Sequence, residues 1–177
     1  MLDLKKVDWE KLKNPSKSFS VFVPSIEKIT FIKQRLFKDY LNMSDETRNY
    51  NVINSISNSY FLSNQFNVFY EIKGFAGLVG FVDVIPEFKS RVMMMFWDKK
   101  AFTPGFVKDS RDLFRLFSKE FQLYRLFSQT ADERVERMAK LAGFKKEGTQ
   151  KHAFMWKGKL MPVFQLGMTF DKKRRHG

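Results

Sequence analysis

From Leu123 the chain runs apolar and aromatic to Ser128. It then turns polar, and then repeats apolar residues at Val135, Met138, Ala139 and Ala142. The run predicts a buried strand, and the i, i+3, i+4, i+7 spacing predicts a helix with one buried face. Asp132 can cap that helix, with Glu133 and Glu136 where the helix dipole favours negative charge. Glu133 with Arg137 and Glu136 with Lys140 stand four residues apart on the other face and can pair. Gly143 can stop the helix, because glycine alone enters the left-handed region at little cost. Phe144 then returns to the core and a new strand begins at Lys145.

The same reading extends over the rest of the chain. Residues 19–23 alternate as a first strand ended by Pro24; Ser25 can cap a helix with Ile29, Ile32, Leu36 and Tyr40 on one face. Ser44 can cap a second helix carrying Ile53, Ile56 and Tyr60. Residues 66–72 and 75–84 predict two strands joined at Lys73-Gly74, and the unbroken apolar run 90–97 predicts a central strand. A loop over 98–108 leads to a helix near 109–121 with Leu113, Phe114, Phe117 and Phe121 inward. Residues 145–156 and 162–170 close the pattern as an antiparallel pair across Lys157-Gly158-Lys159. The fold class is mixed α/β (α+β), with one domain over 19–170, an N-terminal arm at 1–18 that can pack through Trp9, and a basic tail at 171–177.

Composition removes several chemistries. The 177 residues include no cysteine, which excludes disulfides, thiolate metal sites and a cysteine nucleophile. His152 and His176 are the only histidines, too few for a histidine-rich zinc site. No run approaches the roughly 18 uninterrupted apolar residues of a membrane span, and no signal peptide opens the chain, so an intracellular, cytoplasmic protein is the default. A net charge of +13 attracts polyanions: nucleic acid, phospholipid headgroups or a phosphorylated cofactor. The KKRR tail, Lys172 to Arg175, is a candidate contact for such a partner.

The stretch Asp132, Val135, Arg137, Met138, Ala139, Ala142, Gly143, Phe144, Glu147, Gly148 resembles the fifth strand and following helix of the GNAT family, amine acyltransferases that use acetyl-CoA. The resemblance implies a mostly antiparallel sheet of six to seven strands, about four flanking helices, and a fourth and fifth strand that run parallel and splay. It implies acetyl-CoA as cofactor and direct transfer to a primary amine of a small molecule or protein, with no covalent enzyme intermediate.

Carried over by position, the pantetheine arm of the cofactor would lie along Phe96, Trp97 and Asp98. Its diphosphate would lie at the loop 103–110, with Gly105, Phe106, Val107, Lys108, Ser110 and Arg111 beside it. This loop keeps one glycine of the family's pattern; Pro104 lacks an amide donor and Asp109 would repel a phosphate. Ser128 and Thr130 could bond the thioester or pantetheine, and Asp132 replaces the usual asparagine. Ala139 stands where many relatives place a tyrosine proton donor. No carboxylate lies in 90–97, which leaves Glu71 and Asp83 on neighbouring strands as candidate bases. The other reading is a catalytically silent copy of the fold, of the viral or mobile-element kind, that binds or assembles through its basic surface.

Overall fold

The computed structural model of the protein describes residues 7–40, 61, 66–156 and 159–170. In chain order these form α1 (Trp9–Lys13), β1 (Phe19–Val21), α2 (Ile26–Tyr40), β2 (Val68–Ile72), β3 (Gly77–Ile85) and β4 (Lys89–Phe96). There follow α3 (Pro104–Glu120), β5 (Arg125–Thr130), α4 (Glu133–Leu141), β6 (Lys145–Trp156) and β7 (Lys159–Thr169). The helix expected after Ser44, the Lys157-Gly158 turn and the basic tail lie outside the described residues.

The strands form one seven-stranded sheet in the order β1-β2-β3-β4-β5-β7-β6. Each neighbouring pair is antiparallel except β4 with β5, which run parallel because α3 carries the chain back between them. This is the mixed, mostly antiparallel sheet that the family resemblance implies.

Several boundaries differ from expectation, two of them for clear local reasons. Helix α3 starts at Pro104, five residues before Asp109: the Thr103 hydroxyl accepts the Phe106 N–H at 3.2 Å, and proline at the first helical position has no N–H to leave unpaired. Strand β5 starts at Arg125 because Leu123 belongs to the link out of α3, its N–H donating to the Ser118 carbonyl at 2.8 Å.

Helices α3 and α4 cover one face of the sheet. Phe117 stacks on Phe81 at 3.7 Å and on Phe121 at 4.4 Å, while Phe114 meets Phe81 and Phe144 edge-on. Helix α2 covers the other face, with Ile29 and Ile32 buried against Phe22, Phe69 and Leu78. Val7 and Leu12 from the N-terminal segment are buried in the α3-side core, and Trp9 sits edge-on to Phe121. Gly143 stops α4 as its sequence predicts. It adopts φ +104°, its N–H donates to the Lys140 carbonyl at 3.0 Å, and the Phe144 N–H reaches the Ala139 carbonyl at 2.9 Å. That reversal drops Phe144 under α3.

Candidate active site

The feature that sets this sheet apart lies between β4 and β5. Only Lys89, Ser90 and Arg91 of β4 pair with Arg125, Leu126 and Phe127 of β5; beyond them the two strands part. The N–H of Trp97 faces β3, donating to the Ala76 carbonyl at 3.1 Å. Alternation along a strand therefore turns the backbone groups of Met94 and Phe96 toward β5. No described strand pairs with them there, and on the β5 side the parting begins at Ser128. A parted parallel pair exposes backbone donors and acceptors inside a sheet, where an extended amide-bearing ligand can complete the ladder.

Of the three residues expected along this edge, Phe96 stays on it. The N–H groups of Trp97 and Asp98 both go to Ala76, and the Trp97 indole donates to the Phe75 carbonyl on the α2 side. Met94, which is not among the three, lies on that edge. Strand alternation was the signal that could have found it in the sequence.

The start of α3 also differs from the expected loop. Gly105, Phe106, Val107, Lys108, Ser110 and Arg111 are all helical. Phe106 is buried against Phe19 and Phe96. The Ser110 hydroxyl is buried and donates to the Phe106 carbonyl at 2.8 Å. The Asp109 carboxylate accepts the Ser18 N–H at 3.2 Å, which directs it to the N-terminal segment. Of the amides that open the helix, Phe106's goes to the Thr103 hydroxyl and Val107's to the Thr103 carbonyl, leaving Gly105's outside the cap.

Outside this helix start lies a cavity of about 370 Å³, walled by Phe102, Pro104, Val107 and Leu141 and carrying Lys108 and Arg111. Arg111 Nε donates to the Leu141 carbonyl at 2.7 Å, tying α3 to the end of α4. Phe102 and Val107 also line an inner void of about 10 Å³ beside Met94, Met138 and Ala139. A void of that size is at the lower limit for one water, so the core beneath the cavity is closed.

The two candidate bases stand at different heights. Glu71 on β2 is level with Leu78 and Met95, on the α2 face toward the open end of the split, and is ion-paired with Lys28. The Lys28 ammonium lies over the rings of Phe22 and Phe75, at 5.7 and 5.2 Å. Asp83 sits at a bulge in β3 with φ +53° and pairs at 2.9 Å with Arg91, the last β4 residue paired to β5. Among the described residues no acidic or histidine cluster could hold a metal ion, and no helix is long and apolar enough to cross a membrane.

Helix α4, which flanks the split, is held by two carboxylates. Asp132 caps it by accepting the Arg134 N–H at 2.8 Å; a hydrogen bond from the Arg134 side chain holds its carboxyl below the usual range, against partial desolvation. Glu136 is held low by a hydrogen bond from Lys140, against desolvation, with further help from the charges of Lys140 and Lys146. A folded-state pKa below the unfolded value gives stability that is complete above the ordinary carboxylate range and is lost as pH falls through the lowered value. Acid unfolding of Asp132→Asn and Glu136→Gln should therefore show a shallower loss of stability below about pH 4 than the parent. Parallel acid limbs would show that these pairs do not stabilise α4.

No protein-family model matches the chain, and no curated protein matches it in sequence. Solved structures do. Spermidine N-acetyltransferase from Vibrio cholerae, in complex with CoA and spermine, superposes with a TM-score of 0.60 at 15% identity, over 87% of this chain and 96% of that one. The Salmonella typhimurium acetyl transferase that modifies the N-terminal serine of ribosomal protein L7/L12 gives 0.63 at 13% identity, over 90% and 99%. A GNAT-family acetyltransferase from Bacillus anthracis gives 0.58 at 13%, over 87% and 96%. With its strand order and its parted parallel pair, this chain has the fold of the GNAT N-acetyltransferases.

Proposed function

We propose that this protein is an acetyl-CoA-dependent N-acetyltransferase acting on a primary amine by direct transfer. The observation that carries the reading is the parting of β4 from β5 beside a cavity bearing Lys108 and Arg111. Neighbours in fold are acetyltransferases, two of them solved with CoA bound. The residues present fit the cofactor at the β4 edge, where Met94 and Phe96 present backbone groups, and at the basic cavity. They fit less well at the helix start, where most amides are already engaged, and at Ala139, which has no proton to give.

Bound acetyl-CoA would supply an acetyl group activated as a thioester. The chain's part is to align it, to take a proton from the acceptor ammonium and to return one to the leaving sulfur. Ser128, the first β5 residue past the parting, carries the hydroxyl we assign to the sulfur. Glu71 and Asp83 are the groups assigned to the acceptor's proton, directly or through water. Removal of the working base should lower kcat by about 10²–10⁴, so Glu71→Gln and Asp83→Asn tell them apart. The charge of +13 disfavours a polyamine and favours a neutral or acidic acceptor, such as the N-terminus of an acidic peptide.

Acetyl-CoA at a hundredfold its Kd should raise stability by about 2.7 kcal/mol in a thermal-shift titration, and thiol release should depend on an added amine. Absence of any acetyl-CoA-dependent stabilisation would leave the fold without this chemistry.

A further inference from the structure

We propose that the sheet face turned away from α3 and α4, at the paired end of β4 and β5, is a docking platform for single-stranded nucleic acid. The inference stands apart from the acetyltransferase reading, since it uses none of the residues assigned to that chemistry. Val92 and Leu126 are buried in the core under α3, so alternation turns Lys89 and Arg91 of β4, and Arg125 and Phe127 of β5, to the opposite face. Register then sets Arg91, Phe127, Gly167 and Lys145 in one row across β4, β5, β7 and β6. At the usual strand spacing that row is about 14 Å long. Lys89 and Arg125 stand side by side in the next row. Among the described residues, the core under α2 reaches Met93 and Met95 on β4 and includes no residue of β5, β7 or β6.

Four cations on this floor meet two carboxylates. Arg91 pairs with Asp83 at 2.9 Å, and Arg125 pairs with Glu147, whose carboxylate lies over Gly167. Both pairs are solvent-accessible, so a phosphate can displace either carboxylate at small cost. Lys145 is exposed, and the Lys89 ammonium lies over the rings of Phe88 and Phe127, at 5.2 and 5.7 Å. The Phe88 ring is half exposed. Cations set among aromatic rings on an open sheet suit a single strand: the charges follow its phosphates, and the rings stack on bases whose flat faces a duplex hides. A second copy of this face would bring like charges together. Helix α2, about 10 Å thick, stands beside the floor, so a flexible strand reaches cations from which a flat bilayer is held off.

Fluorescence anisotropy on the full chain tests this with oligo-uridine and oligo-thymidine of equal length, each alone and in a duplex. At least one single strand should bind about tenfold or more tighter than its duplex, and the stronger of the two names RNA or DNA as the ligand. Phe88→Ala should weaken that binding about fivefold or more, while an abasic strand, which keeps phosphates and lacks bases, binds parent and variant alike. Lys89→Glu with Lys145→Glu should weaken it at least about tenfold and lower the salt slope by about 1.4, as two lost phosphate contacts require. These side chains lie on the surface, so thermal unfolding of the variants should match the parent and a binding loss reports on the platform. Duplex binding as tight as single-strand binding overturns the platform. So does binding that both variants leave unchanged and that deletion of residues 171–177 abolishes. Binding to phosphatidylserine vesicles with none to either oligonucleotide, or binding to no probe at all, overturns it too. None of these results bears on acetyl transfer.

Discussion

Phe117→Ala should destabilise the protein by about 3–5 kcal/mol, the usual cost of removing a fully buried ring. Phe117 has no exposed surface, and its ring is sandwiched between Phe81 on the sheet and Phe121 at the end of α3. The loss has two parts: the apolar area returned to water and the cavity that its rigid aromatic neighbours cannot close. Total stabilities of about 5–15 kcal/mol leave little margin for such a change. Urea denaturation measures it directly. Phe88→Ala, at a ring that is half exposed, serves as the control, with an expected effect within about 0.5 kcal/mol. A Phe117 variant as stable as that control would mean that the aromatic layer does not carry the core.

Gly77→Val should be the most damaging glycine substitution for both fold and site. Gly77 faces Phe96 at the open end of the split, where a β-carbon would overlap the Met95 carbonyl oxygen and stand 2.7 Å from the Ile72 side chain. Backbone cannot swing aside as a side-chain tip can. Relief must come from moving β4, the strand whose other edge borders the cleft. We expect a loss of about 1–3 kcal/mol or more, with CoA affinity falling in whatever protein still folds. Gly105→Ala makes the opposite case. There a β-carbon meets nothing closer than the Thr103 hydroxyl at 3.7 Å, and the residue is helical, so the change should be neutral or stabilising by up to about 1 kcal/mol. In the sequence, Gly105 is the one glycine that the expected phosphate loop keeps. A large loss of stability in Gly105→Ala, with Gly77→Val unaffected, would reverse this account.

The contrast between these glycines shows where the sequence could be read and where it could not. The unit around α4 was legible because its signals are local: Asp132 caps through a residue two positions on, and Gly143 reverses the chain through its own φ. The start of α3 was misplaced because Thr103-Pro104-Gly105 is good turn chemistry as well as a good helix start. What decides between them is Phe106, buried against Phe19 and Phe96 from other strands. In the site, Lys108 and Arg111 were legible as charges. The carbonyl that fixes Arg111 lies thirty residues further along, and nothing near Arg111 announces it. Ser110 could not be assigned from its type, since a serine on a helix serves equally on the wet face or bonded back to its own helix.

The brief pairing of β4 with β5 also divides the sheet mechanically. Four strands form one leaf and three the other, and three residue pairs of ladder are the backbone seam between them. A seam so short acts as a hinge, and the stiffness across it has to come from side chains. Phe114 supplies it, touching Phe81 on the four-strand leaf and Phe144, which leads into β6 of the other. A molecule wedged into the open end would therefore load this row of rings as well as the strands it touches. Its arrival would be felt at the far side of α3, where Phe121 and Trp9 continue the same row.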